Sequence, residues 1–198
     1  MRAFTFENAT KIYFGGGCVK EHLLEAVKPY GETVMLAYGG GSIKTNGIYQ
    51  EVMDVLKLAG KQVIEFSGIM PNPTYSKVME GKKVVQENQV DLILAVGGGS
   101  VMDCSKAISM AAATDKDVWE EYWIKKGEID FEPVPVGVIV TVVGTGSEVN
   151  GEGVITHEEQ KIKTSRNYPR CNPVFAMMDP KYTYTVSPLQ TAAGGFDT

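Results

Sequence analysis

Long hydrophobic runs, clustered cations and paired cysteines are all missing from this 198-residue sequence. No stretch approaches the roughly 18 apolar residues that a membrane span requires, so none is expected. The opening residues Met1-Arg2-Ala3-Phe4-Thr5-Phe6-Glu7 lack the charged-then-apolar layout of a secretory signal. With 19 Lys and Arg against 24 Asp and Glu, the net charge is -5. Nonspecific nucleic-acid binding needs clustered Lys and Arg over phosphates and is disfavoured. Cys18, Cys104 and Cys171 are odd in number, far apart and free of any CxxC pair. They read as buried thiols of a cytoplasmic protein, neither a disulfide frame nor a zinc site. Histidine is nearly absent too, with only His22 and His157.

What is present is an ordinary globular composition, 43% hydrophobic and 22% charged, with 22 glycines. The length suits one domain, or one domain and the start of another. A chain of this size buries roughly 70% of its unfolded surface and needs no staple.

Along the chain, Phe4, Phe6, Ile12 and Phe14 read as a strand or hairpin running into Gly15-Gly16-Gly17. Val19, Leu23, Leu24 and Val27 predict a short helix ending before Pro29. Strand and helix then alternate. Thr33–Tyr38, Gln62–Phe66, Val90–Val96, Val136–Val143 and Val174–Met178 read as strands. Helical spacing is seen at Ile48, Val52, Val55, Leu56 and Ala59, with Gly60 placed to end that helix. It recurs at Tyr75, Val78, Lys82 and Val85, where Lys82 dilutes the stripe, and over Ser100–Ala113. Val154–Thr156 and Lys161–Lys163 suggest a small hairpin. Strands joined by crossover helices imply an open parallel α/β sheet covered on both faces. Ser187-Pro188 is a helix start so near Thr198 that the sequence is expected to be part of a longer chain.

Two of these strands end in the same tetrapeptide, Gly39-Gly40-Gly41-Ser42 and Gly97-Gly98-Gly99-Ser100. At the carboxyl edge of a parallel sheet, such loops bring backbone N–H groups and a helix N-terminus to an anion. The alternative is that the glycines only make tight turns; two such loops in one sheet favour phosphate binding. Neither loop is the usual dinucleotide fingerprint, because the third glycine position after Gly97 and Gly99 is Met102. A third loop, Gly144-Thr145-Gly146-Ser147-Glu148, has Thr141 just before it and Asn150 just beyond.

Taken in order, FGGG at 14–17, YGGGSIK at 38–44, PNP at 71–73, LAVGGGSVMD at 94–103, TGSEVN at 145–150, MDPKYTYTVSP at 178–188 and TAAGGFD at 191–197 form a set. This set resembles the iron-containing (group III) alcohol dehydrogenases, in their NADP-linked butanol dehydrogenase and aldehyde reductase branch. The resemblance implies a Rossmann-like dinucleotide-binding domain of dehydroquinate synthase-like fold over residues 1–186. Residues 187–198 would be the first turns of an otherwise missing all-helical metal domain. It implies that Gly98, Gly99 and Ser100 hold the cofactor diphosphate, and that Thr141, Thr145 and Asn150 touch the cofactor. Lys163 would reach a ribose, and Tyr182 and Gln190 would line the adenosine side. Asp103 would stand near the nicotinamide end as the catalytic candidate. Without the resemblance, Lys163 reads as a solvated hairpin lysine, and Asp103 as a first-turn acid favoured by the helix dipole.

NAD-using members of the family carry an Asp where Gly39 or Gly40 stands. Here Gly39, Gly40, Ser42 and Lys44 leave space, amides and a positive charge for a 2′-phosphate, so NADP is expected. Asp197 matches a metal ligand that three later histidines would complete; His22 and His157 lack ligand spacing to it. The implied enzyme interconverts alcohols and aldehydes by hydride transfer, with a divalent metal, iron or zinc, as Lewis acid. The resemblance, whose members are often dimers, leaves the oligomeric state open, with a homodimer one option and the N-terminal strand a candidate for pairing across its interface. A glycerol dehydrogenase-like or dehydroquinate synthase-like enzyme on the same scaffold is an alternative. A non-catalytic nucleotide-binding module is another.

Overall fold

The computed structural model describes residue 3 and residues 8–197, the side chain of Asp197 excepted. β1 (Lys11–Phe14) turns through glycines into α1 (Cys18–Val27), which buries Val19, Leu23, Ala26 and Val27. β2 (Thr33–Tyr38) leads to a single helical turn, α2 (Ser42–Thr45), and then to α3 (Ile48–Leu58). α3 buries Ile48, Val52 and Leu56 on one face. Gly60, at φ 71°, ends that segment in the left-handed region. β3 (Gln62–Phe66), α4 (Tyr75–Glu87), β4 (Leu92–Gly97) and α5 (Gly99–Ala112) follow. Thr74 caps α4 by accepting from the Lys77 N–H at 3.3 Å. Lys82 fits the stripe it dilutes because its amine donates to the Thr114 carbonyl at 2.9 Å. After a wide turn at Trp119–Ile124 come β5 (Val136–Val140), the antiparallel hairpin of β6 (Glu152–His157) and β7 (Ile162–Asn167), and β8 (Phe175–Met178). α6 (Pro188–Asp197) starts as its sequence suggests, with the Ser187 hydroxyl accepting from the Gln190 N–H at 3.3 Å.

The sheet has six strands in the order β3-β2-β4-β5-β8-β1, and every neighbouring pair is parallel. Residues alternate between its faces. Met35, Ala37, Ile93, Ala95 and Val138 pack under α4 and α5, while Val34, Leu36, Leu92, Leu94 and Ile139 pack under α1 and α3. Burial on both faces explains why the central strands are nearly continuous apolar runs. The fold is thus the doubly covered, Rossmann-like α/β sheet expected from the sequence.

The strands expected at Val90–Val96 and Val174–Met178 shift by one or two residues, to Leu92–Gly97 and Phe175–Met178, and three differences are larger. β5 stops at Val140 instead of Val143, because its neighbour β4 ends at Gly97 and the last ladder bond is Thr141 N–H to the Gly97 carbonyl. Without a partner strand, Val142 and Val143 are 41% and 50% exposed. β1 is an edge strand lying parallel to β8, with Lys11 opposite Phe175; Phe4 and Phe6 lie outside the described residues. The small hairpin is longer than expected, running from Glu152 to Asn167. Among the described residues, no helix is long and apolar enough to cross a membrane.

Candidate cofactor site

The order in which the chain adds strands reverses between β2 and β4. From β2 the chain moves outward to β3, crosses back to β4, and then proceeds to β5 and β8 on the other side. In open α/β sheets, ligands bind at the carboxyl ends of the strands at such a switch point. The two GGGS loops flank it, since Tyr38 pairs with Val96 and each loop begins one or two residues later.

The first loop is tied to the segment after β3. The Gly68 N–H donates to the Gly39 carbonyl at 3.0 Å, and the Ile69 N–H to the Tyr38 carbonyl at 3.3 Å. A Cβ on Gly40 would meet nothing within 4 Å, so open space lies above it. The second loop is tighter. Gly98 alone separates β4 from α5, and no side chain caps the first N–H groups of the helix. The third loop presses against the second: a Cβ on Gly98 would lie 3.1 Å from Val142 Cβ, and one on Gly99 2.7 Å from Thr145 Oγ1. Gly39, Gly40, Ser42, Gly98, Gly99, Ser100, Thr141 and Thr145 therefore stand on three adjoining loops.

Asp103 and Asn150 lie behind these loops, in a buried polar network. Asp103 Oδ1 accepts from the Ser147 hydroxyl at 2.5 Å and Oδ2 from the Val154 N–H at 3.1 Å. Both carboxylate oxygens thus meet protein donors. At the centre is Lys106, only 2% exposed and 3.8 Å from Asp103. Its amine donates to Ser147 Oγ at 2.7 Å, the Ser147 carbonyl at 3.0 Å, the Asn150 carbonyl at 3.1 Å and Asn150 Oδ1 at 3.4 Å. Burial pushes the Lys106 amine down to about 8, against the pull of Asp103. Burial also raises the Asp103 carboxyl, which Lys106 and Ser147 partly offset. The pair thus fastens the third loop to α5. Sequence reasoning missed Lys106. The available signal was its spacing from Asp103 in a helix otherwise buried almost all round.

The remaining expected residues are more dispersed. Lys163 is exposed on β7 and donates to Asn72 Oδ1 at 2.5 Å in the PNP loop, where Asn72 takes φ 57°. The Thr156 N–H to Pro73 carbonyl bond, 3.0 Å, fastens the hairpin to the same loop. Gln190 borders a surface pocket with Val142, Val143 and Tyr184, beside the third loop. α6 comes close there, since a Cβ on Gly194 would lie 2.6 Å from the Val143 carbonyl. Tyr182 is packed in the layer under α1 and α3, with Glu51 and Asn46 lining the pocket beside it. It does not join the three loops. Asp197 ends α6, but its side chain lies outside the described residues. Among the described residues, no three His, Cys, Asp or Glu side chains converge on a metal-sized site. The described residues alone do not fit a bound metal.

The sequence pattern of the iron-containing alcohol dehydrogenases matches residues 9–180. Over 197 residues the chain is 44% identical to a probable NADH-dependent butanol dehydrogenase of Bacillus subtilis, covering all of this chain and 50% of that protein. It is 39% identical to the NADPH-dependent aldehyde reductase YqhD of Escherichia coli, covering all of this chain and 50% of the relative. The crystal structure of NADH-dependent butanol dehydrogenase A from Thermotoga maritima superposes with a TM-score of 0.92 at 38% identity. That match covers all of this chain and 49% of the other. The chain spans about half the length of the curated relatives it matches. The chain belongs to the iron-containing alcohol dehydrogenase family.

Proposed function

We propose that residues 1–186 are the cofactor domain of an oxidoreductase that interconverts alcohols and aldehydes with NADP, and that residues 187–198 open its helical metal domain. The observation that carries this reading is the pair of glycine loops side by side at the switch point, one opening directly into α5. The cofactor, when bound, supplies or accepts the hydride. In this reading, the first amides of α5 and the Ser100 hydroxyl grip the diphosphate. Thr141 and Thr145 border it, and Lys163 leaves Asn72 for a ribose hydroxyl. Asp103 acts as a positioning residue, through the third loop that it and Lys106 hold.

Preference for NADP rests on the open, acid-free first loop. The names of the relatives divide between NADH and NADPH, so NAD is the second reading. Gly40→Asp separates the two, because Gly40 has room for a side chain and its φ lies outside the left-handed region. A carboxylate there would accept from a ribose 2′-hydroxyl and repel a 2′-phosphate. In calorimetric titrations, the variant is expected to lose about tenfold or more in NADPH affinity and to keep or improve NADH binding. A wild-type protein that binds NADH more tightly than NADPH, or a variant with unchanged NADPH affinity, would refute the preference.

A further inference from the structure

We infer that Glu65 is a specificity-determining residue that restrains 2′-phosphate binding by pairing with the Lys44 ammonium beside the first glycine loop. The inference rests on the cofactor site proposed above. Glu65, near the end of β3, is the hub of a four-residue cluster. One carboxylate oxygen accepts from the Tyr38 hydroxyl at 2.6 Å and from Lys44 Nζ at 2.9 Å; the other accepts from the Tyr49 hydroxyl at 2.7 Å. The Lys44 ammonium also lies 4.6 Å from the centre of the Tyr49 ring and 5.3 Å from that of Tyr38.

The cluster flanks the first loop on both sides of its sequence. Tyr38 immediately precedes Gly39, and Lys44 belongs to the turn that starts just after Gly41. The segment following Glu65 is bonded back to the loop through Gly68 and Ile69. Hydrogen bonds from Tyr38, Tyr49 and Lys44 hold the Glu65 carboxyl down at about 2, so it is ionised throughout the working pH range. Lys44 is the cation nearest the loop in sequence, yet its charge is already matched by a carboxylate in direct contact. A phosphate carrying about two negative charges meets a neutral pair there, not a free ammonium. Recruiting Lys44 would require breaking an ion pair and two ring contacts.

Both charged partners are substantially exposed, 45% for the Lys44 side chain and 41% for Glu65, so the fold tolerates exchange at either. The probes are adenosine 2′,5′-bisphosphate and adenosine 5′-monophosphate, titrated calorimetrically into wild type, Glu65→Gln, Lys44→Met and the double variant. Glu65→Gln is expected to bind the bisphosphate about fivefold more tightly and the monophosphate within about twofold of wild type. In the double variant, the gain disappears. Lys44→Met alone leaves Glu65 unpaired and is expected to weaken bisphosphate binding several-fold. An unchanged ratio of the two affinities in Glu65→Gln, or an undiminished gain in the double variant, overturns the inference and leaves the cofactor site standing. A wild-type chain that binds neither probe overturns both.

Discussion

Lys106→Met is expected to lower folding stability by about 3 kcal/mol, measured as an earlier urea midpoint at unchanged slope. The side chain is 2% exposed, and methionine fills much of the volume of its stem, so little of the loss would come from a cavity. The cost is electrostatic. Without the amine, the carbonyls of Ser147 and Asn150 lose a buried donor, and Asp103 remains buried without the cation 3.8 Å away. Removing both charges should therefore hurt less than the single change suggests. Asp103→Asn combined with Lys106→Met is expected to recover part of the loss, because no uncompensated charge is left inside. A single variant within about 0.5 kcal/mol of wild type would show that the network does not hold the loop.

The same residue predicts a pH dependence. Burial holds the folded-state value of Lys106 at about 8, below its ordinary 10.5. Between these values, the unfolded chain keeps a proton that the folded chain has released, so folding stability gains as pH rises through that window. Below about 8 both states are protonated, and the full penalty of burying the cation is present. Lys106→Met lacks this term. The stability difference between wild type and variant should thus widen from pH 8 towards 10.5, and urea midpoints across that range would measure it. A constant difference would mean that the amine stays charged in its cage of oxygens.

The elements were legible where a local pattern and tertiary burial agree. TVMLAY and QVIEF became β2 and β3 with unchanged bounds, since strands in a two-sided sheet are apolar along their length. Val142 and Val143 broke that rule: they are as apolar as a strand, but no neighbouring backbone extends to pair with them. α2 is too short for helical periodicity to register. Strand order was not legible either. β1 sits beside β8 because of where crossovers place it, and nothing local to Lys11 points to Phe175. The glycine loops could be found because a tight strand–helix turn demands that residue type. The ion pairs could not: Lys44 and Glu65 meet only once β3 lies against β2, and either charge alone reads as solvated surface.

Gly99→Ala is expected to weaken NADPH binding about tenfold while costing under about 1 kcal/mol of stability. The backbone at Gly99 sits outside the left-handed region, and alanine is the better helix former, so neither conformation nor propensity opposes the change. The obstacle is Thr145. A Cβ at position 99 would lie 2.7 Å from its Oγ1 and 3.0 Å from its Cγ2. Thr145 is on an exposed loop and Gly99 is on a buried helix, so the loop must yield. Thr145 Oγ1 accepts the Ser147 N–H at 3.3 Å, so the displacement also pulls on the residue that Lys106 and Asp103 hold. Thr145→Ala distinguishes two reasons for the glycine. It removes both close atoms and leaves Cβ at 3.4 Å, an ordinary contact. If Gly99 exists to make room for the third loop, adding Gly99→Ala to Thr145→Ala costs little further affinity, and the cycle is strongly non-additive. If Gly99 instead lets backbone N–H groups approach a phosphate, the added methyl obstructs the ligand itself, and the two losses add. Unchanged NADPH affinity in Gly99→Ala would remove the junction of the second and third loops from the cofactor site altogether.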